Sequence, residues 1–180
     1  RHDAVNWGFA RAADALGVDI LQNCPVSGFE TRGGRISGVA TPHGVLRAEK
    51  FALAVAGHTS VLAERAGFRL PLVSMALQAM VTEPVKPMLN TVVLSPAVHV
   101  YTSQTDRGEI VIGGAADVYS SYAQRGSLPV IEDFVAAAVE LVPALARLKM
   151  MRHWSGIVDI SPDTSPIMGK TPVENLYINC

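Results

Sequence analysis

The sequence predicts an α/β protein, α+β overall, in which an α/β lobe is followed by an antiparallel β lobe. An amphipathic helix near the start leads into strand-like runs, and strand-like segments separated by turns dominate after residue 69. The 180 residues are 49% hydrophobic, which is enough to bury a core. We predict a partial first domain at 1–69, an antiparallel domain with a helix at 70–151, and a return to the first domain at 152–180.

The first lobe begins with a helix at 4–16, where apolar residues recur at helical spacing. Asp3 can accept the free N–H groups of the first turn, and Gly17 ends the helix. We expect a short buried strand at 18–21 and a second extended piece at 24–30.

Two alternating runs, 35–41 and 44–48, predict a hairpin with one exposed face, and a buried strand follows at 51–56. The chain then turns through Gly57 into a helix that is capped by Thr59 or Ser60. A strand-to-helix turn of this kind presents backbone N–H groups to an anion.

The second lobe is predicted from strand-like segments at 73–81, 91–94, 99–104 and 109–113. A long amphipathic helix follows at 129–147, with Pro143 expected to break its end. The stretch 152–169 is expected to be rich in loops.

Charge and composition exclude several classes of function. The net charge is −1, with 15 basic and 16 acidic residues, so neither nucleic acid nor a membrane surface is expected as a partner. No apolar run is long enough to span a bilayer. Cys24 and Cys180 lack a Cys-x-x-Cys spacing, which disfavours a disulfide framework and a zinc site and makes the cytoplasm the default location. No histidine spacing indicates another metal, and no motif indicates hydrolysis.

From the sequence pattern alone, each candidate site residue has both a structural and a functional interpretation. His2, at a helix start, is interpreted as an ordinary surface histidine, and His58 either binds a ligand or caps its helix. His99 and Tyr101 face either a pocket or a neighbouring strand. The cluster of Arg, His, Trp, Asp, Pro and Gly at 152–169 indicates a functional loop or simply tight turns.

Three segments together resemble the D-amino-acid-oxidase superfamily of FAD-dependent oxidoreductases. They are the helix with the strand region around Val26, the strand ending in Ala-Val-Ala-Gly at 54–57, and Trp-Ser-Gly at 154–156 followed by Pro-Asp-Thr-Ser-Pro-Ile-Met-Gly at 162–169. Within this superfamily the sequence is most similar to the family of heterotetrameric sarcosine oxidase beta subunits, through the strings at 1–5, 66–71, 124–126 and 169–173.

The resemblance implies part of an FAD-binding Rossmann-like domain and a substrate domain. It implies oxidative demethylation of sarcosine, or a related N-methyl amino acid, in which FAD takes a hydride, electrons pass to FMN, and oxygen is reduced to hydrogen peroxide. It also implies NAD in a companion subunit and other subunits as partners. Two alternatives remain: a relative of dimethylglycine dehydrogenase or glycine oxidase, and a non-catalytic assembly subunit.

The resemblance also assigns site residues. His2 matches the position that carries FMN covalently, and Val26 matches a backbone contact to adenine. Ala56 and Gly57 match a small-residue turn that lets the cofactor approach, and Gly169 closes the last motif. The family's Gly-x-Gly-x-x-Gly fingerprint is expected upstream of the first residue and its oxygen-activating lysine beyond the last, so the sequence is expected to be an internal fragment that is inactive alone.

Overall fold

The computed structural model describes the backbone of residues 2–180 and the side chains of residues 3–180. Its helices are α1 (His2–Ala15), α2 (Thr59–Arg65), α3 (Leu128–Leu141) and a 3₁₀ helix (Pro143–Arg147). Its strands are β1 (Gly28–Arg32), β2 (Arg35–Thr41), β3 (Gly44–Leu46), β4 (Phe51–Leu53), β5 (Val73–Pro84), β6 (Val93–Ser95), β7 (Val100–Gln104), β8 (Glu109–Ser120), β9 (Met150–Ile160), β10 (Met168–Lys170) and β11 (Leu176–Asn179).

The strands form three sheets. The first has the order β1-β2-β3 and is antiparallel, as the alternating hairpin predicts. The second has the order β10-β11-β4, with β11 parallel to β4, so that the end of the chain returns to the first lobe. The third has the order β6-β7-β8-β5-β9 and is antiparallel throughout. The predicted mixed α/β class with antiparallel sheets is confirmed, whereas the domain boundaries after 69 and 151 stay predictions.

One core lies between α2 and the two small sheets. Its buried members are apolar side chains from β2, β4, α2, the residue after α2, and β11, namely Ile36, Leu53, Leu62, Ala66, Leu176 and Ile178. Asn175 is buried beside them, where its amide donates to the carbonyls of Ile36 and Glu49 at 2.8 and 3.0 Å and accepts from the Ile36 N–H at 3.0 Å. The three hydrogen bonds satisfy backbone groups that the core would otherwise leave unpaired.

The other core lies between α3 and the five-stranded sheet, and it contains Met80, Val100, Ile110, Ile112, Ile131, Phe134, Ala138 and Leu145. The helix ends at Leu141 rather than running through 147, because Pro143 cannot donate to the helical ladder, and the chain continues as a 3₁₀ turn.

Two further segments differ from the sequence predictions in the type of structure they form. Residues 18–21 form no strand, and Val18, Ile20 and Leu21 are exposed, since no described element packs against them. The predicted loop stretch 152–169 begins instead as β9, which pairs with β5 along nearly its whole length. Its prolines all lie beyond Ile160, so nothing prevents the earlier residues from joining the ladder.

No helix among residues 2–180 is both long and apolar enough to cross a membrane.

Candidate functional site

A pocket of about 500 Å³ opens beside α2, and we call it the turn pocket. Its lining residues are Val26, Ala54, Val55, Ala56, His58, Val61, Leu62 and Arg65. Val26 precedes β1 and Ala56 follows β4, so two residues that the family resemblance assigns to the cofactor line one cavity. The strand 51–56 is shorter than predicted, because residues after Leu53 leave the sheet to form this wall.

The walls of the turn pocket are mostly apolar, and His58 and Arg65 supply its polar side-chain groups. The Arg65 guanidinium donates to the Ser27 carbonyl at 2.9 Å and thereby ties α2 to the segment before β1. Apolar walls with a few placed polar groups suit a flat heteroaromatic ring, and a guanidinium plane can stack on such a ring.

Gly57 closes the turn and cannot be replaced without distortion. Its φ of +85° is a conformation that favours glycine. A Cβ atom at this position would lie 2.7 Å from the Ile157 carbonyl oxygen and 2.9 Å from the Ile157 Cβ. The close approach at Gly57 is therefore to β9.

The Asp159 carboxylate accepts hydrogen bonds from backbone N–H groups of this turn. One of its oxygens accepts from the Gly57 and Thr59 N–H groups at 2.9 and 3.4 Å, and the other accepts from the Ser74 hydroxyl at 2.9 Å. A carboxylate at this turn satisfies donors that the start of α2 leaves free. The turn presents N–H groups to an anion, as the sequence predicts, and this anion is the protein's own Asp159 side chain.

The sheet face opposite α3 carries a second group of chemically distinctive side chains. Tyr101 pairs with Gly113, Gly113 with Ala79, and Ala79 with Trp154, so the four residues form one row on one face. The Tyr101 ring covers Gly113, whose added Cβ would lie 2.8 Å from the Tyr101 hydroxyl oxygen. Burial raises the pKa of Tyr101, which keeps its hydroxyl protonated as a hydrogen-bond donor near neutral pH.

The sequence leaves open which way Tyr101, His99 and Arg152 face, and the strands of this sheet define their positions. Arg152 shares the face of Trp154, two residues along β9, and its guanidinium carbon is 5.4 Å from the centre of the Trp154 ring system. His99 lies outside the strands with a φ of +49°. Tyr101 and Arg152 therefore share a face of the sheet, and His99 stands before β7.

The remaining predicted residues lie apart from the turn pocket. Gly169 sits in the edge strand β10, pairs with Ile178 and has a φ of +138°. The loop before it is held by the Asp163 carboxylate, which accepts from the Ser165 N–H at 3.1 Å, and this hydrogen bond lowers the pKa of Asp163. The side chain of His2 lies outside the described residues, so its assignment stays a prediction.

A smaller cavity of about 300 Å³ is lined by Asp159, by residues of the loop 161–166 and by Cys180. Burial raises the pKa of the Cys180 thiol, which therefore stays neutral. Within the part of the chain that the structure describes, no cluster of three or more histidine, cysteine or carboxylate side chains could hold a metal ion.

Sequence reasoning missed Asp159 and Arg65. Asp159 was noted only as one member of a residue-rich stretch that was taken for a loop, and its role depends on β9 pairing with β5, which brings it next to Ser74. Arg65 looks like an ordinary basic residue in the last turn of a short helix. The β-branched residues Ile157, Val158 and Ile160, in a run without proline, were the available signal for the strand.

We predict that Asp159→Ala loosens the turn, because it leaves two backbone N–H groups and the buried Ser74 hydroxyl without an acceptor. The expected loss is about 2–4 kcal/mol of unfolding free energy. In the full-length protein, hydrogen exchange of the amides of residues 57 and 59 should become faster. Asp133→Ala removes an exposed carboxylate on α3 and serves as the matched control. Unchanged exchange at both amides in the Asp159 variant would contradict this account of the turn.

Comparison with known proteins identifies a matching family and similar sequences. The family model described as DAO, FAD dependent oxidoreductase, matches residues 1–180. The sarcosine oxidase subunit beta of Rhodobacter capsulatus is 53% identical over 180 residues, which cover 100% of this chain and 44% of that protein. The chain thus spans less than half the length of this curated relative.

Solved structures share the fold. The L-proline dehydrogenase of P. horikoshii superposes with a TM-score of 0.86 at 25% identity, over 95% of this chain and 47% of that one. The glycine oxidase of Geobacillus kaustophilus gives a TM-score of 0.80 at 21% identity, over 93% of this chain and 45% of that one. With the family model matched along its whole length, the chain belongs to the DAO family of FAD-dependent oxidoreductases.

Proposed function

We propose that the full-length protein is the flavin-carrying beta subunit of a sarcosine oxidase. It oxidises the N-methyl group of sarcosine, or of a related N-methyl amino acid, to an imine, which water hydrolyses to the demethylated amino acid and formaldehyde. The two electrons pass to oxygen, which gives hydrogen peroxide. Identity of 53% along this entire chain to a sarcosine oxidase subunit beta supports the proposal. Of the geometric features, the turn pocket supports it most strongly.

The turn pocket fits the nucleotide end of FAD. Its apolar walls, including Val26 and Ala56, suit an adenine ring, and the small side chain of Ala56 leaves room for close approach. The Gly57 turn shapes the pocket without offering its own N–H groups, since Asp159 holds them. We therefore assign Gly57 a shaping role toward the cofactor, and Gly169 stays a proposed contact beyond this pocket.

The row from Tyr101 to Trp154 fits the substrate side of the site. FAD, when bound, supplies a hydride acceptor for the N-methyl carbon. The protonated Tyr101 hydroxyl can donate to a substrate carboxylate, and Arg152 adds positive charge on the same face. Gly113 allows the Tyr101 ring to lie close over the sheet, and Ala79 carries only a methyl group between Gly113 and Trp154.

Further parts of the proposal concern the assembly. His2 carries a covalent FMN, NAD is bound by a companion subunit, and the complex works in the cytoplasm, where Cys24 and Cys180 remain free thiols. A neutral imidazole is a competent nucleophile toward an electrophilic flavin methyl group. No oxygen-activating residue is assigned within residues 1–180.

A second candidate is an amine oxidoreductase with a different substrate, such as a glycine oxidase, whose solved structure shares the fold. A third is a non-catalytic subunit that has lost its flavin. Neither explains the identity to sarcosine oxidase along the chain as directly.

Turnover by the full-length protein, purified with its companion subunits, distinguishes the three. Hydrogen peroxide should form fastest with sarcosine and much more slowly with dimethylglycine or glycine. Faster turnover of glycine would favour the second candidate, and purification without any flavin absorbance would favour the third.

The covalent attachment gives a separate prediction. His2→Ala in the full-length protein should abolish acid-stable FMN while FAD remains bound, because the imidazole nitrogen is the attachment point. Acid precipitation followed by absorbance of the pellet and the supernatant measures both flavins. His43→Ala, at an exposed hairpin turn, is the control. Acid-stable flavin that persists in the His2 variant would refute the assignment.

A further inference from the structure

The loop 121–127 connects β8 to α3 and is firmly anchored to the five-stranded sheet. The Ser155 hydroxyl donates to the Ala123 carbonyl at 2.6 Å, and the Ser155 N–H donates to the Gln124 carbonyl at 3.2 Å. Gly126 packs so closely that an added Cβ would lie 2.5 Å from the His153 ring nitrogen Nδ1 and 2.9 Å from the Gln78 side-chain oxygen. The loop therefore has little freedom to move relative to β5 and β9.

A buried polar network holds the other end of the loop. The Gln78 amide donates to the Asp117 carboxylate at 2.7 Å, and the Ser127 hydroxyl donates to the same oxygen at 3.0 Å. The Ser127 N–H donates to the Gln78 carbonyl oxygen at 2.8 Å. Gln78 and Asp117 are 1% and 3% exposed, so these bonds are shielded from water and restrict the loop strongly.

Tyr122 extends from this anchored loop to the turn pocket. Its ring centre lies 5.0 Å from that of His58, with an angle of 41° between the planes, which is a tilted aromatic contact. Its hydroxyl donates to the Ser74 hydroxyl oxygen at 3.3 Å, and Ser74 donates to Asp159. One tyrosine thus contacts the polar wall of the pocket and the hydrogen-bond chain that holds the Gly57 turn.

His58 is the group whose orientation this contact controls. It is exposed, and its backbone serves the turn and α2: its N–H donates to the Val55 carbonyl at 2.9 Å, and its carbonyl accepts from the Leu62 N–H at 3.1 Å. An exposed imidazole without a neighbour samples several rotamers, and ordering it on binding costs free energy. A ring held against Tyr122 has already lost part of that freedom.

We propose that Tyr122 is a positioning residue for His58, and that His58 donates a hydrogen bond to an oxygen in the sugar-phosphate part of a nucleotide bound in the turn pocket. The assignment rests on the proposed FAD site and adds two residues to it. His58 and Arg65 supply the polar side-chain groups of the pocket. Arg65 is tied to the Ser27 carbonyl by one of its N–H groups, whereas the His58 ring is held by its contact with Tyr122.

A double-mutant cycle on the full-length apoprotein tests this inference, with FAD affinity measured by quenching of flavin fluorescence. His58→Ala should weaken FAD binding about tenfold and Tyr122→Ala about fivefold, magnitudes typical of one hydrogen bond and its preorganisation. Since Tyr122 acts through His58, the double variant should bind FAD no more weakly than His58→Ala alone. Full additivity of the two effects would overturn the positioning role, and unchanged affinity in His58→Ala would overturn the contact itself.

Two control variants separate loss of the ring contact from other causes of weaker FAD binding. Tyr119→Ala removes another exposed tyrosine, near the end of β8, and should leave FAD affinity unchanged. Tyr122→Phe keeps the ring contact but loses the bond to Ser74, so it should retain most of the affinity; a loss as large as that of Tyr122→Ala would contradict positioning through the ring. A wild-type protein that binds no FAD would instead contradict the proposed function on which the inference rests.

Discussion

The placement of the Asp159 carboxylate is the interaction on which the candidate site depends. It accepts hydrogen bonds from the Gly57 turn and from Ser74 in β5, and so it fixes the edge of the turn pocket to the five-stranded sheet. The turn needs this partner, because Gly57 is buried against Ile157 and its N–H group has no access to water there. Without the carboxylate, β4 would lead into α2 through a turn with unpaired backbone donors.

The consequence is a division of roles between neighbouring residues. The N–H groups of Gly57 and Thr59 donate to the Asp159 carboxylate, whereas the neighbouring Ala56 and His58 line the turn pocket. A ligand in the turn pocket is therefore recognised by side chains and apolar walls rather than by the N–H groups at these two positions. This arrangement suits a nucleotide whose base lies against the apolar walls and whose sugar-phosphate part faces the His58 side chain.

Local patterns predicted much of the fold. The hairpin of β2 and β3, the short helix after Gly57, and the long helix α3 follow from alternation, glycine turns and helical spacing, which act over a few residues. The strand β9 was not predicted, because its residue types suggest a loop and its pairing partner lies far away in sequence. The segment 18–21 was predicted as a strand from its apolar content, but burial requires a neighbour that no local pattern supplies. For the site, Val26 and Ala56 came from family resemblance, whereas Asp159, Arg65 and Tyr122 depend on contacts across the fold.

The central claim is that the turn pocket holds the nucleotide end of FAD. Hydrogen exchange of the full-length protein, measured with and without saturating FAD, tests it most directly. The account predicts slower exchange in residues 54–65 and around Val26 when FAD is bound, with little change in the exposed hairpin at 41–44. Bound flavin with unchanged exchange along 54–65 would contradict it.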